Sequence, residues 1–510
     1  MNLYNAGMSH FNLAIDGSIV GLYLLGTMFA GLMVRKYIGR VEDFLVAGRE
    51  MNVYLGVASL AATEFGIVTC MYTAENGFRY GFAGATPGIL YALAMLAVGL
   101  TGFGIKPLRQ SGVLTLPELF ERRFGPRVRR AAGVVIVLGG LLNMGVFLRT
   151  GGEFLVQVTG FSLSAAPGAA GLAAWMQAHT LELAMTVLLL MVAAYTILGG
   201  MLSVLVTDYL QFIVMSAGMI AVTALILLRV GWDKLAGTVR AAYGSGGFNP
   251  FVHPQMGWPY VLFNALLNLA AVLTWMAVIQ RVLAAKDSRT GQKVYTRTSF
   301  FFVARFLIPG IWGIAALAAL GPGANSLQAM PRFLAGFLPA GLMGLLVAAM
   351  LAADMSTDSS YMLTWASVIY NDILAPFRRQ GWTERRGLRW NRMIVAAIGA
   401  FLLLYGLWYP LKGDLWTYCG VTGTIYLSSM PVLLVACCYW KRANARGAVA
   451  AIAAGAVVPV LYLALEQVPA TSAWVRANIG PYYSGIAAYL LAAAAMVIGS
   501  LAKPAPRKEN

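Results

Sequence analysis

Long apolar runs, separated by short basic clusters, follow one another along the chain from about residue 13 to residue 502. A membrane-crossing helix needs about 20 predominantly apolar residues. By that measure thirteen segments stand out, near 13–34, 53–77, 82–105, 131–158, 180–199, 202–228, 258–280, 299–321, 339–369, 393–410, 415–438, 447–466 and 483–502. The pattern predicts an all-α polytopic membrane protein with about thirteen transmembrane helices. The longest connection, 231–257, contains Gly-Ser-Gly-Gly and reads as a loop, and no connection is long enough for an appended soluble domain.

Polar residues interrupt several of these segments. Within the ninth, Leu351–Thr364 crowds Asp354, Ser356, Thr357, Asp358, Ser359 and Ser360 into seven positions. One or two hydroxyls in a span commonly bond back to their own helix. This density points instead to a partner, water or an ion, because unsatisfied polar groups are costly in hydrocarbon. Hydroxyls, carboxylates and carbonyls are the ligands a small hard cation takes. The second segment carries Thr63, Glu64 and Gly66 between apolar flanks, the signature of a locally unwound helix with freed carbonyls. Segments five and six meet at Gly199–Gly200, which predicts a tight turn, and Asp208 follows about two helical turns later. Asp208 shares a face with Thr207 and Gln211, has no basic neighbour in its own helix, and must find a partner elsewhere.

Three further features sit inside spans. Asn264 and Asn268 are one turn apart and precede Thr274 and Trp275, so they read either a ligand or a neighbouring helix. Arg149 and Glu153 are spaced i, i+4 and can neutralise each other. Arg305 has no carboxylate in its own helix and stays protonated, so it requires one from elsewhere in the protein or from a ligand.

Composition sharpens the class. Of 510 residues, 59% are hydrophobic and only 11% charged, which excludes a string of ordinary soluble domains. A net charge of +17 raises nucleic acid as a partner, but the distribution argues against it. Of the 37 basic residues, 28 fall in alternate connections (35–49, 106–130, 281–297, 378–392, 441–446 and the 503–508 tail). Seven fall in the others: Arg79, Arg229, Lys234, Arg240, Arg332, Lys412 and Arg476. Basic residues favour the cytoplasmic side, which predicts the N-terminus outside and the C-terminus inside. The first apolar stretch lacks a basic leader and reads as a span rather than a cleaved signal. Cys70, Cys419, Cys437 and Cys438 make no metal or disulfide framework, and three scattered histidines make no metal site. With no nucleophile–base set and no cofactor loop, the chain is not expected to be an enzyme or to hold an organic cofactor.

Several short motifs, taken in order, resemble the sodium/solute symporter family, which includes sodium-coupled glucose, proline, pantothenate and sialic acid transporters. They are Asp43-Phe44-Leu45-Val46-Ala47-Gly48-Arg49 and Leu116-Pro117-Glu118-Leu119-Phe120-Glu121-Arg122-Arg123-Phe124-Gly125. Next come Tyr195-Thr196 with Gly199-Gly200, then Thr207-Asp208 with Gln211, then Gln280-Arg281 with Ala284-Ala285-Lys286, and finally Met355-Ser356-Thr357. The resemblance implies a LeuT-like fold of two inverted five-helix repeats, 53–228 and 258–438, with one extra helix before (12–34) and two after (447–502). The first helix of each repeat would be broken near the midplane, at Glu64 and within Asn264–Trp275.

By the same resemblance, a first sodium site takes carbonyls of Ala61, Glu64 and Ala353 and the hydroxyls of Ser356 and Thr357. A second would draw on Asp208, Ser356, Ser359 and Ser360. Solute-binding candidates are Glu64, Asn264, Asn268, Trp275 and Arg305. Two departures disfavour galactose-like sugars: Val68 stands where sugar-transporting members place a glutamine, and Pro87-Gly88 where they place a glutamate. Arg305 suggests a carboxylate-bearing solute and Glu64 an amine-bearing one, unless the two pair with each other. Asp354 and Asp358 share a helix face and are required by neither sodium site. Protonation of one, pairing with Arg149 or Arg305, and a proton or ion relay are the readings open for them. The expected function is Na+-coupled symport of a small organic solute across the cytoplasmic membrane. The alternatives are proton coupling in the same fold and solute sensing without substantial transport.

Overall fold

The computed structural model describes residues 10–160, 171–377, 383–408 and 415–502; apart from one isolated bridge, the regular elements there are helices. The first helices are α1 (Ile15–Met33), α2 (Val53–Glu64), α3 (Ile67–Tyr80) and α4 (Thr86–Thr101). Then come α5 (Pro126–Met144), α6 (Phe147–Thr159) and the fifty-residue α7 (Thr180–Arg229). The second half contains α8 (Gly257–Thr274), α9 (Met276–Ala284), α10 (Ser288–Leu320) and α11 (Leu342–Val368). The chain continues through α12 (Glu384–Trp408), α13 (Leu415–Leu427), α14 (Met430–Tyr439), α15 (Ala445–Gln467) and α16 (Gly480–Ala502). Of the basic residues counted above, Arg378, Arg379, Lys412, Lys503, Arg507 and Lys508 lie outside the described residues.

Among the described residues, eleven continuous helical stretches are long and apolar enough to cross a membrane. Two contain turns that the hydrophobic pattern already marks. α7 reverses at Gly200, whose φ of 50° and ψ of −146° suit a residue without a side chain. A Cβ there would stand 2.6 Å from the Phe44 backbone, so the turn is both bent and crowded. The stretch Ile67–Thr101 turns through Gly81–Ala85 between α3 and α4.

α11 runs through the centre, packed along α7 and also touching α1, α2, α5, α6, α9 and α12. It is buried around almost its whole circumference from Leu346 to Val368, which explains why its polar residues show no outward face. Its N-terminus is capped by another helix. Asp16 of α1 accepts the Gly341 and Gly344 amides at 2.7 Å each, placing a carboxylate where the helix dipole favours it.

Two expectations about connections are corrected. The 231–257 connection is not a bare loop, because Trp232–Tyr243 forms a helix. Arg281, counted above in a connection, lies inside α9 and is fully buried. The apolar run Val282–Ala285 carries that helix one turn beyond the Gln280 boundary.

Candidate functional site

The helix break foreseen at Glu64 lies between α2 and α3. Phe65 leaves helical geometry (φ −108°, ψ 73°), and its amide bonds to the Ala62 carbonyl at 3.2 Å instead of reaching back to Ala61. The Ala61 carbonyl thereby loses its usual i+4 donor. Gly66 is extended, and a Cβ on it would lie 2.7 Å from the Thr357 hydroxyl, so only glycine lets α11 approach this closely. The second break falls at Trp275 (φ −62°, ψ 115°), at the far end of the predicted window, and separates α8 from α9. A backbone bridge joins Met51, before α2, to Ala285, after α9, so the two broken helices are tied at one end.

Thr357 spans the first break. Its hydroxyl lies 2.9 Å from the Thr63 carbonyl and 3.0 Å from the Ala353 carbonyl. Ala61, Glu64, Ala353 and Thr357 are all buried around it. Ser356, assigned above to both sodium sites, turns to the other side of α11 and donates to Asp208 Oδ1 at 2.6 Å.

Asp208 anchors a dense polar cluster. Its Oδ2 accepts from the Ser59 hydroxyl at 2.5 Å and from Arg281 Nη2 at 3.2 Å. The same guanidinium reaches Ser360 at 2.5 Å, Thr63 at 2.6 Å and Ser59 at 3.1 Å. Arg281 is therefore the partner that Asp208 had to find, and neither side chain has any exposure. Ser359 does not point into this cluster; its hydroxyl bonds to the Ser356 carbonyl of its own helix at 3.1 Å.

On the opposite side of the break is a cavity of about 90 Å³. By the same measure a single water needs roughly 10–15 Å³, so this space takes several waters or one small solute. Glu64, Asn268, Trp275, Arg305, Tyr361 and Trp416 are among the residues that line it. Glu64 and Arg305 pair with each other at 3.2 Å, the internal arrangement weighed above. Arg305 also donates to Tyr72 at 2.9 Å and Thr69 at 3.2 Å, and lies over the rings of Tyr91, Phe302 and Phe306. Glu64 Oε1 and Arg305 Nε are buried without a hydrogen-bond partner among the described residues. Trp275 Nε1 donates to the Tyr361 hydroxyl at 3.1 Å, which fixes one wall.

Asn264 departs from expectation. Its amide bonds to Tyr260 in its own helix at 2.9 Å, and it is not among the residues lining the cavity. Asn268 donates to the Asn264 carbonyl at 2.8 Å and does line it. Neither arginine offered as a partner for Asp354 or Asp358 takes that role, since Arg149 pairs with Glu153 and Arg305 with Glu64. Asp354 sits against α6, its carboxylate oxygens 3.1 and 3.2 Å from where a Cβ on Gly151 would stand.

Arg281, Ser59, Tyr72 and Tyr361 had no site role in the sequence reading. A signal was present for Arg281: Met276–Ile279 before it and Val282–Ala285 after it are apolar, the same context that singled out Glu64. Other motif residues hold connections in place. Glu118 accepts the Leu114 amide at 2.9 Å, and Gln280 donates to the Leu45 carbonyl at 2.9 Å.

Comparison with known proteins places this arrangement. The description "Sodium:solute symporter family" matches residues 44–455. Sodium/glucose cotransporter 4 of Danio rerio is 24% identical, with 97% of this chain and 80% of that protein aligned. The sodium/myo-inositol cotransporter of Bos taurus is 24% identical, over 97% of this chain and 74% of its own length. Among solved structures, an outward-open, substrate-bound Na+-coupled sialic acid symporter in which a novel Na+ site is described superposes with a TM-score of 0.77. It is 18% identical and covers 97% of this chain and 99% of its own. MhsT in complex with L-phenylalanine superposes at 0.52 with 14% identity, covering 88% of this chain and 98% of its own. Both structural likenesses are of fold, and they bear out the LeuT-like architecture. The two helix breaks and both polar clusters lie within the matched residues, and the chain is an integral membrane protein that belongs to the sodium:solute symporter family, a family of cotransporters rather than enzymes.

Proposed function

We propose that this protein carries a small organic solute into the cell across the cytoplasmic membrane, driven by inward Na+ flow through alternating access. The carrying observation is the Thr357 hydroxyl, which joins α11 to the break between α2 and α3 directly beside a lined cavity. In this reading Na+ sits among the carbonyls of Ala61, Glu64 and Ala353 and the Thr357 hydroxyl, and the Ser356 hydroxyl, which donates to Asp208 in this structure, turns in to complete the set. Its binding holds the broken helix against α11 and favours the state that admits solute. The chain crosses the membrane thirteen times, N-terminus outside and C-terminus inside, with repeats at 53–228 and 258–438. Each Na+ crossing 100 mV supplies about 2.3 kcal/mol.

The solute lies against the Glu64–Arg305 pair. Because those groups neutralise each other, the cavity has no net charge to impose, and the solute presents a donor to Glu64 Oε1 and an acceptor to Arg305 Nε. A zwitterion or a small polyol meets both demands, and Trp275, Tyr361 and Trp416 supply flat apolar walls. Asp354 and Asp358 support a subsidiary proton contribution. They are 5% and 3% exposed, and neither forms an ion pair among the described residues.

The test is uptake by purified protein in liposomes under an imposed inward Na+ gradient, across amino acids, monocarboxylates, polyols and sugars. At least one solute is expected to accumulate only with the gradient. A panel in which no solute responds to Na+ overturns the proposal. Uptake driven by a pH gradient in Na+-free buffer replaces it with proton coupling.

A further inference from the structure

The basic residues of 378–392 were counted above only for their charge, yet three of them share one face of α12. Arg385, Arg389 and Arg392 are spaced i, i+4 and i+7 in its first turns. The one carboxylate of that stretch, Glu384, is occupied by the Val41 amide at 2.7 Å. Arg385 and Arg389 are exposed, and neither pairs with a carboxylate among the described residues. Arg392 is half-buried. Its Nη2 donates to the Leu198 carbonyl at 3.4 Å, just before the Gly200 turn of α7. Its Nε is buried without a hydrogen-bond partner among the described residues. Like charges at this spacing repel one another, so the row lacks an anion.

The three arginines line a groove of about 390 Å³ between α12 and α7, several times the volume of the solute cavity. Ile197, Met393 and Ala396 complete it with apolar surface. Met393 and Ala396 lie where α12 turns from basic to apolar sequence, so the groove is charged at the membrane boundary and greasy toward the middle of the span. Trp390, 37% exposed in the same turns, sits where an indole marks the level of the headgroups. A guanidinium fork matches phosphate oxygens in pairs. Phosphate above and hydrocarbon below is the profile of a phospholipid; a soluble anion would leave the apolar half uncovered.

We propose that this groove binds one anionic phospholipid, its phosphate held by Arg385, Arg389 and Arg392 and an acyl chain laid over Met393 and Ala396. Because Arg392 also reaches the Leu198 carbonyl, the bound lipid ties α12 to the Gly200 turn of α7. Each basic residue beside an anionic headgroup favours it about fivefold, so three give on the order of a hundredfold preference over a zwitterionic lipid.

The deciding measurement is native mass spectrometry of the purified full chain, titrated with phosphatidylglycerol or with phosphatidylcholine. Wild type is expected to bind its first phosphatidylglycerol on the order of a hundredfold more tightly than phosphatidylcholine. Arg385→Gln combined with Arg389→Gln should reduce that preference to roughly fivefold. Arg386→Gln removes the same charge from the same turn but from outside the groove, and should leave the preference unchanged. Glycerol phosphate, a headgroup without chains, should not displace the lipid at equal concentration. A wild type without preference, a double variant that keeps it, an equal loss in Arg386→Gln, or displacement by glycerol phosphate overturns the inference. If the double variant does not fold, Arg389→Gln alone decides it, with an expected preference between the two values. The readout needs no transport, so its failure leaves the symport reading standing.

Discussion

Two sides of the polar strip on α11 are made of similar residues and find different partners. On one side Thr357 bonds to the Thr63 carbonyl of the broken helix and to the Ala353 carbonyl of its own, and no side-chain cation bonds to its hydroxyl. On the other, Ser356 bonds to Asp208 and Ser360 to Arg281, which already neutralises that carboxylate. The first arrangement gathers neutral oxygens beside a helix break that leaves the Ala61 carbonyl without its usual i+4 donor, which suits the Na+ role proposed for it. The second is a closed network joining α2, α7, α9 and α11. An oxygen-rich sequence thus says that a positive charge belongs nearby, but not whether the protein or the solution provides it.

The comparison can be broken most forcefully at Asp208. Asp208→Ala leaves Arg281 buried and unpaired, which costs about 3–5 kcal/mol. A large fall in the thermal unfolding midpoint of detergent-purified protein is the expected result, and an unchanged midpoint removes the structural role. Thr357→Ala is expected to leave that midpoint nearly unchanged. Its effect falls on Na+: the loss of one oxygen worth about 1.5 kcal/mol raises the Na+ concentration for half-maximal uptake roughly tenfold. Solute affinity at saturating Na+ should stay near wild type. Wild-type Na+ activation in this variant dissolves the distinction between the two sides.

Glu64→Gln tests whether the cavity belongs with the Thr357 side. It leaves the backbone carbonyl in place but removes the charge facing Arg305. Solute KM should rise by about tenfold, corresponding to about 1.4 kcal/mol, while Na+ activation moves little. An equal shift in both parameters would show that the side chain serves ion and solute together. Ser359→Ala is the smallest perturbation. Its hydroxyl donates to the Ser356 carbonyl of its own helix and bonds to neither Asp208 nor Arg281, so loss of about 0.5 kcal/mol or less is expected in stability. A severalfold change in Na+ activation would restore Ser359 to the ion path.

How the fold was legible in the sequence follows from the same residues. Glu64 and Gly66 announced a break because a carboxylate and a glycine in an apolar run have few other uses, and the helix stops there. Gly199–Gly200 announced a turn because a positive φ suits glycine. Arg281 was hidden by its place at the end of an apolar segment, where a basic residue ordinarily marks the membrane boundary. Asn264 stayed open between a ligand and a neighbouring helix because helical spacing gives the face shared with Asn268 but not which neighbour covers it.

The sequence alone determined the helical class, the membrane setting, the position of the first break and the concentration of oxygen ligands in Leu351–Thr364. These are local properties: hydrophobic period, backbone freedom and the cost of polar groups in hydrocarbon all act within a few residues. Only the tertiary structure decided which partner each buried charge takes. Asp208 and Arg281 are 73 residues apart, and Glu64 and Arg305 are 241 apart. A charge carries no record in sequence of its counter-charge, because Coulomb attraction depends on distance in space and the fold sets that distance.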